Sequence, residues 1–203
     1  MPIVYRNEPA EAAEAMREGL DKMTLNRAFS TPRLRTAMVT KAEAPVPAQA
    51  LPVYTLGLSD LAEGRDASAA VHTGWRYAVK QDDEIVAHGE TIIDPAGKHH
   101  FAATNEGPLV QGTTRAIEAA EAQDEIKRGD FEVRFLFVPA LYVAALWLVD
   151  RSGKSDFVMP VEPAPPPLVP NKLMPFNDLL ALLQEKAKSY SAAQREDPKL
   201  GGV

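Results

Sequence analysis

Val71-His72-Thr73-Gly74-Trp75-Arg76-Tyr77-Ala78-Val79, followed after the acidic stretch Asp82-Asp83-Glu84 by Ile85-Val86-Ala87-His88-Gly89-Glu90-Thr91-Ile92-Ile93, decides the fold of this 203-residue chain. In the first segment Val71, Thr73, Trp75, Tyr77 and Val79 share one side, and His72, Arg76 and Lys80 the other. Alternation with period two marks a half-buried antiparallel strand. The second segment pairs with it as a hairpin. Placing Val79 opposite Ile85 sets Tyr77 against Ala87, Trp75 against Gly89 and Val71 against Ile93, with the aromatic rings above small partners. A slip of one residue would carry Trp75 to the wrong face.

Working outward, Asp94-Pro95-Ala96-Gly97 reads as a turn, with fixed φ at the proline and permissive φ at the glycine. His99 to Ala103 is then a third strand. Pro108 to Arg128 has helical spacing: Leu109, Thr113, Ala116, Ile117 and Ala120 line one face, Glu118, Glu121, Asp124 and Glu125 the other, and Gly129 ends it. Phe131–Val138 and Ala140–Val149 are apolar on both faces, as central strands are, with Pro139 interrupting the ladder. Residues 150–155 form a hairpin loop into a strand at Phe157–Val161. The fold class is therefore α+β: an antiparallel sheet of hairpins or a meander packed with one central helix.

The ends read differently. A helix capped by Asn7 runs to about Phe29, with Ala13, Met16, Leu20 and Met23 as its apolar seam and Gly19 as a weak point. Residues 42–52 contain Pro45, Pro47 and Pro52 and read as an extended linker. Seven prolines between Pro160 and Pro175 form a strap, after which Asn177 caps a helix from Asp178 to about Tyr190 with Leu179, Leu180, Leu182 and Leu183 on its apolar face. The tail from Ser191 reads as disordered. The expected organisation is 1–52, N-terminal helix and proline-containing linker; 53–162, α+β core; 163–203, strap, C-terminal helix and tail.

There are no cysteines, which removes disulfides, zinc–thiolate centres, iron–sulfur clusters and cysteine nucleophiles. Net charge is −6, and residues 53–162 alone carry −8. An acidic core argues against a nucleic-acid surface, which needs clustered Lys and Arg. Arg27 to Lys41 is basic without an acid and reads as a solvated loop. The most apolar uncharged run, Phe135–Val149, contains Pro139 and is shorter than the ~20 residues a spanning helix takes. The N-terminus has no secretory pattern. The expectation is a cytoplasmic protein, of bacterial source on its alanine content, without membrane or nucleic-acid partners.

Four side chains carry the candidate ligand-binding chemistry: His72, Arg76, His88 and Glu90, which the pairing above gathers on the sheet face opposite Trp75. Such a group could hold an anion or a substrate carboxylate if a helix or loop covers that face; uncovered, it is an ordinary solvated sheet surface. No third metal ligand joins His88 and Glu90, and His99 and His100 point to opposite faces, so no metal and no cofactor are expected. Gly153-Lys154-Ser155 lacks the upstream glycine of a phosphate loop, and no catalytic motif occurs. Trp75, Tyr77, Tyr142 and Trp147 read as core before pocket. The leading expectation is a non-catalytic interaction or assembly module, self-associating or binding a protein partner through Met16, Leu20, Met23, Leu179 and Leu183 on its terminal helices. The alternative is a small-molecule binder or enzyme using a sheet–helix cavity with the His, Glu and Arg groups.

Overall fold

The computed structural model describes residues 3–26, 28, 29, 35, 45–81 and 84–196, with side chains to 190. Its strands are β1 (Ile3–Val4), β2 (Val46–Thr55), β3 (Val71–Gln81), β4 (Glu84–Ile93), β5 (His99–Asn105), β6 (Phe131–Val138), β7 (Val143–Asp150), β8 (Phe157–Pro160) and β9 (Met174–Pro175). Its α-helices are α1 (Ala10–Leu25), α2 (Leu58–Ala62), α3 (Pro108–Ala122), α4 (Asp124–Arg128) and α5 (Phe176–Glu196). The strands form a single sheet in the order β5-β4-β3-β2-β6-β7-β8-β9, with β1 beside β6. Most neighbours are antiparallel, but β2 and β1 each run parallel to β6, so two meanders are joined by a parallel seam at Val53–Thr55 and Phe135–Phe137. The class is α+β with a mostly antiparallel sheet.

Alternation along β2 separates the two faces. Ala50 belongs to a core with Met16, Leu20, Trp75, Tyr77 and Val79 under α1. Leu51 belongs to a second core with Ala116, Ala120, Val133, Phe135 and Leu146 under α3. The core under α5 holds Leu136, Trp147, Val158, Phe176, Leu179 and Leu183. Helices α1 and α5 thus cover one face and α3 the other.

Several boundaries differ from the sequence reading. The β3–β4 register is displaced by two residues along β4: Val79 pairs with Ala87, not Ile85, Tyr77 with Gly89, Trp75 with Thr91 and Arg76 with Glu90. A bulge between Val79 and Lys80 lets pairing continue to Gln81 and Glu84. Because the shift is two residues, every side chain keeps its face. Within the stretch read as a linker, Val46 to Pro52 is the first part of β2. From Val46 to Pro52 this strand pairs only with β3, and pairing with β6 starts at Val53. A strand with one free edge accepts proline, which has no N–H to give a second neighbour. Of the remaining residues of that stretch, Pro45 precedes the strand without regular structure and 42–44 lie outside the described ones.

Helix α1 starts at Ala10 with Pro9, not Asn7, in the N-cap position, and ends at Leu25. Gly19 is a contact point: a Cβ there would stand 2.1 Å from the Phe101 ring, so the missing side chain lets α1 lie down on β5. The single helix expected over Pro108–Arg128 breaks at Gln123, whose backbone is extended. The last helix begins at Phe176 and continues to Glu196, through residues read as tail. Residues 197–203 and most of 27–44 lie outside the described ones, including Arg27, Arg33 and Lys41 of the basic stretch. Between β8 and β9 the proline-bearing segment has no regular element; Val161 joins the core under α3 and Leu168 the core under α5.

Candidate functional site

Arg76 sits in the middle of β3 on the α3 face and is 3% exposed. Long basic side chains are rarely so buried without partners. Its Nε donates to His88 Nδ1 at 3.0 Å, and its Nη1 donates to the Glu90 carboxylate. The guanidinium lies over the Phe135 ring, 4.6 Å from the centroid, a cation–π contact in a desolvated setting. Nη2 finds no hydrogen-bond acceptor among the described groups. A buried donor left so is costly, and natural structures keep few of them.

Two cavities meet at this arginine. One, of about 370 Å³, runs between β3–β4 and α3; Arg76, His88, Ala78, Ile85 and Leu51 come from the sheet side, Thr113, Ile117, Glu118 and Glu121 from α3, and Tyr5 from the N-terminal segment. The other, of about 450 Å³, lies under the first turn of α3, with Arg76, Glu90, Asn105, Leu109 and Phe135 in its wall. Both volumes fall in the range of small-molecule sites.

The His88 ring is 4% exposed. Since Nδ1 accepts from Arg76, the neutral ring must carry its proton on Nε2. Burial, reinforced by the neighbouring Arg76 charge, pushes its pKa down to about 3. The ring is therefore neutral across the physiological range, with its N–H on Nε2. Burial also lowers Arg76, and the Glu90 charge and hydrogen bond oppose that and hold the cation. At the cavity wall Tyr5 is raised, by burial first and then by Glu121.

A linkage follows. His88 stays neutral in the fold but takes up a proton near 6.5 when the chain unfolds. Its contribution is complete above pH 6.5 and is lost as pH falls towards 3, at up to about 1.4 kcal/mol per pH unit. Urea unfolding at pH 7 and pH 5 is expected to show roughly 1–2 kcal/mol less stability at pH 5. His88→Gln should flatten that difference, and an undiminished slope in this variant would remove His88 as its source.

The four residues expected together divide three to one. Arg76, His88 and Glu90 share the covered face, whereas His72 does not. Between Val53↔Gly74 and Tyr54↔His72 the pairing of β2 with β3 skips Thr73. That extra residue reverses the alternation, so His72 stacks on Tyr54 (5.1 Å) and meets Trp75 edge-on (5.4 Å) on the opposite face. Gly74 allows the close approach beside it: a Cβ there would stand 1.9 Å from the Thr91 carbonyl oxygen.

The expected partner-binding residues lie in the chain's own cores. Met16 and Leu20 are buried under α1, and Leu179 and Leu183 under α5. Met23 is half-buried, and its sulfur accepts from the Thr104 hydroxyl at 3.3 Å. The four aromatics do not converge on one pocket. Trp75 and Tyr77 pack under α1, Trp147 under α5 with its indole N–H on Asp156, and Tyr142 stands 84% exposed at the β6–β7 turn. Among the described residues no three His, Asp or Glu gather as a metal set, and no helix is long and apolar enough to cross a membrane.

Sequence reasoning missed Thr113, Ile117, Glu118 and Glu121 as site residues, although it placed them on the right faces of one helix. The signal lay in the pairing of that helix with the Arg76 face, which no local pattern encodes. Comparison of the chain with protein-family models, with curated proteins and with solved structures gives no match.

Proposed function

We propose that the protein binds a small molecule in the cavity between β3–β4 and α3, with Arg76 as the anchor. One observation carries this reading: a guanidinium 3% exposed, in a cavity wall, with an Nη2 that no described group accepts from. Two of its nitrogens are spent on orienting it, through His88 and Glu90, and the Phe135 ring fixes its plane. A pre-oriented donor above apolar walls is how small-molecule sites obtain both affinity and orientation. A neutral His88 and a paired Glu90 offer no general base, so binding fits these groups better than catalysis.

Docking of the terminal helices onto a partner has less support. Met16, Leu20, Leu179 and Leu183 are already covered within the chain's own cores, so the helices would have to leave the sheet before these residues could serve another chain.

The test is ligand-induced thermal stabilisation across a chemically diverse small-molecule library. A ligand at one hundred times its Kd adds about 2.7 kcal/mol. Stabilisation in the natural protein should vanish in Ile117→Trp, which fills the cavity from α3, and weaken in His88→Ala. Equal stabilisation in Ile117→Trp, or none from the whole library, would sink the reading.

A further inference from the structure

The polar groups of this cavity are not arranged at random. Its wall includes two donor-bearing side chains: Arg76, whose buried Nη2 has no acceptor among the described groups, and His88, whose proton is on Nε2. Whatever sits against them must accept hydrogen bonds. The charge of Arg76, however, is already matched by Glu90. A second carboxylate placed there would leave a net negative charge in a buried site, a costly arrangement. A carbonyl or amide oxygen meets the same donors without that cost. On the α3 side the polarity reverses: Glu118 and Glu121 line the cavity, both exposed and one helical turn apart. Arg76 is the one basic residue among the described residues of this wall. The same wall carries the apolar side chains of Leu51, Ala78, Ile85 and Ile117.

Resting on the binding reading above, we infer that the ligand is a neutral or cationic amphiphile: an amide or carbonyl oxygen on Arg76 and His88, an apolar chain, and an amine beside Glu118 and Glu121. Alkyl carboxylates are discriminated against by the Arg76–Glu90 pairing, not by shape.

Four probes of one length separate these terms: hexanoate, hexanamide, hexylamine and 6-aminohexanamide, titrated while the methyl NMR signals of Ala78, Ile85 and Ile117 are followed. 6-Aminohexanamide should bind most tightly, and hexanamide at least roughly tenfold more tightly than hexanoate, because the latter buries an unmatched charge. The terminal amine should add roughly threefold to fivefold, the worth of exposed ion pairs. That gain should disappear in Glu118→Gln/Glu121→Gln, whose substitutions sit on an exposed helix face. Hexanoate shifting the same methyls more tightly than hexanamide overturns the ligand class and leaves the binding reading standing. Absence of methyl shifts from all four probes also overturns it, and the binding reading falls with it only if the library gives no stabilisation either.

Discussion

Trp75→Ala is expected to lower the unfolding free energy by about 3–5 kcal/mol, the cost of deleting a large ring from a core that can only partly collapse. The indole is 1% exposed and belongs to the core under α1, beside Met16, Leu20 and Tyr77. Its neighbours are held by the sheet and by a helix that touches β5 at the side-chain-free Gly19, so little can move in to fill the space. Part of the loss is offset, because the indole Nε1–H has no acceptor among the described groups and its removal relieves a buried orphan. Chemical denaturation of the variant measures the difference. An unchanged midpoint would mean that the β3 face assignment, and with it the separation of Trp75 from Arg76, is wrong.

Arg76→Ala should rank beside it, at about 3 kcal/mol, the lower end of what breaking a buried ion pair costs. The discount comes from Glu90, which is 32% exposed and can regain water when its partner goes. The loss has three sources: a carboxylate without its cation, a His88 Nδ1 without its donor, and a Phe135 ring without its cover. Pairing the substitution with a second one distinguishes these from simple loss of volume. Arg76→Met with Glu90→Leu should recover most of the stability, since a packed apolar pair often replaces a buried salt bridge at no net cost. A loss below about 1 kcal/mol in Arg76→Ala would show that water reaches the guanidinium freely, and would remove the reason for treating it as an anchor.

The sheet's strands and faces were legible because half-buried strands alternate, and β3 from Gly74 to Val79 does so without a fault. What escaped was everything set by partners distant in sequence. The β3–β4 register depends on a bulge between Val79 and Lys80, which carries Val79 from Ile85 to Ala87 while pairing still reaches Gln81 and Glu84, and alternation alone does not show it. β2 was hidden by Pro47 and Pro52, which local propensity places in a linker; their position on a strand paired along one edge for most of its length reconciles the two. The parallel seam between β2 and β6 joins residues about eighty positions apart and leaves no local trace.

The site follows the same division. Arg76, His88 and Glu90 could be grouped from period two on neighbouring strands. The loss of His72 from the group required knowing that Thr73 is an extra residue opposite the Val53–Tyr54 step. The cover supplied by α3 required knowing which face of the sheet that helix takes, a matter of connection handedness and packing.

The prolines that disguised β2 have a protective side. A sheet margin with free N–H and C=O groups can recruit a strand from another molecule, which is how cross-β aggregation begins. Pro47 and Pro52 lie along the part of β2 that β6 leaves uncovered, and β9, at the far end of the sheet, is two residues long and ends on Pro175. Foreign strands find no continuous ladder to copy at either place, so the residues that make those stretches look least like strands also keep them from acting as templates.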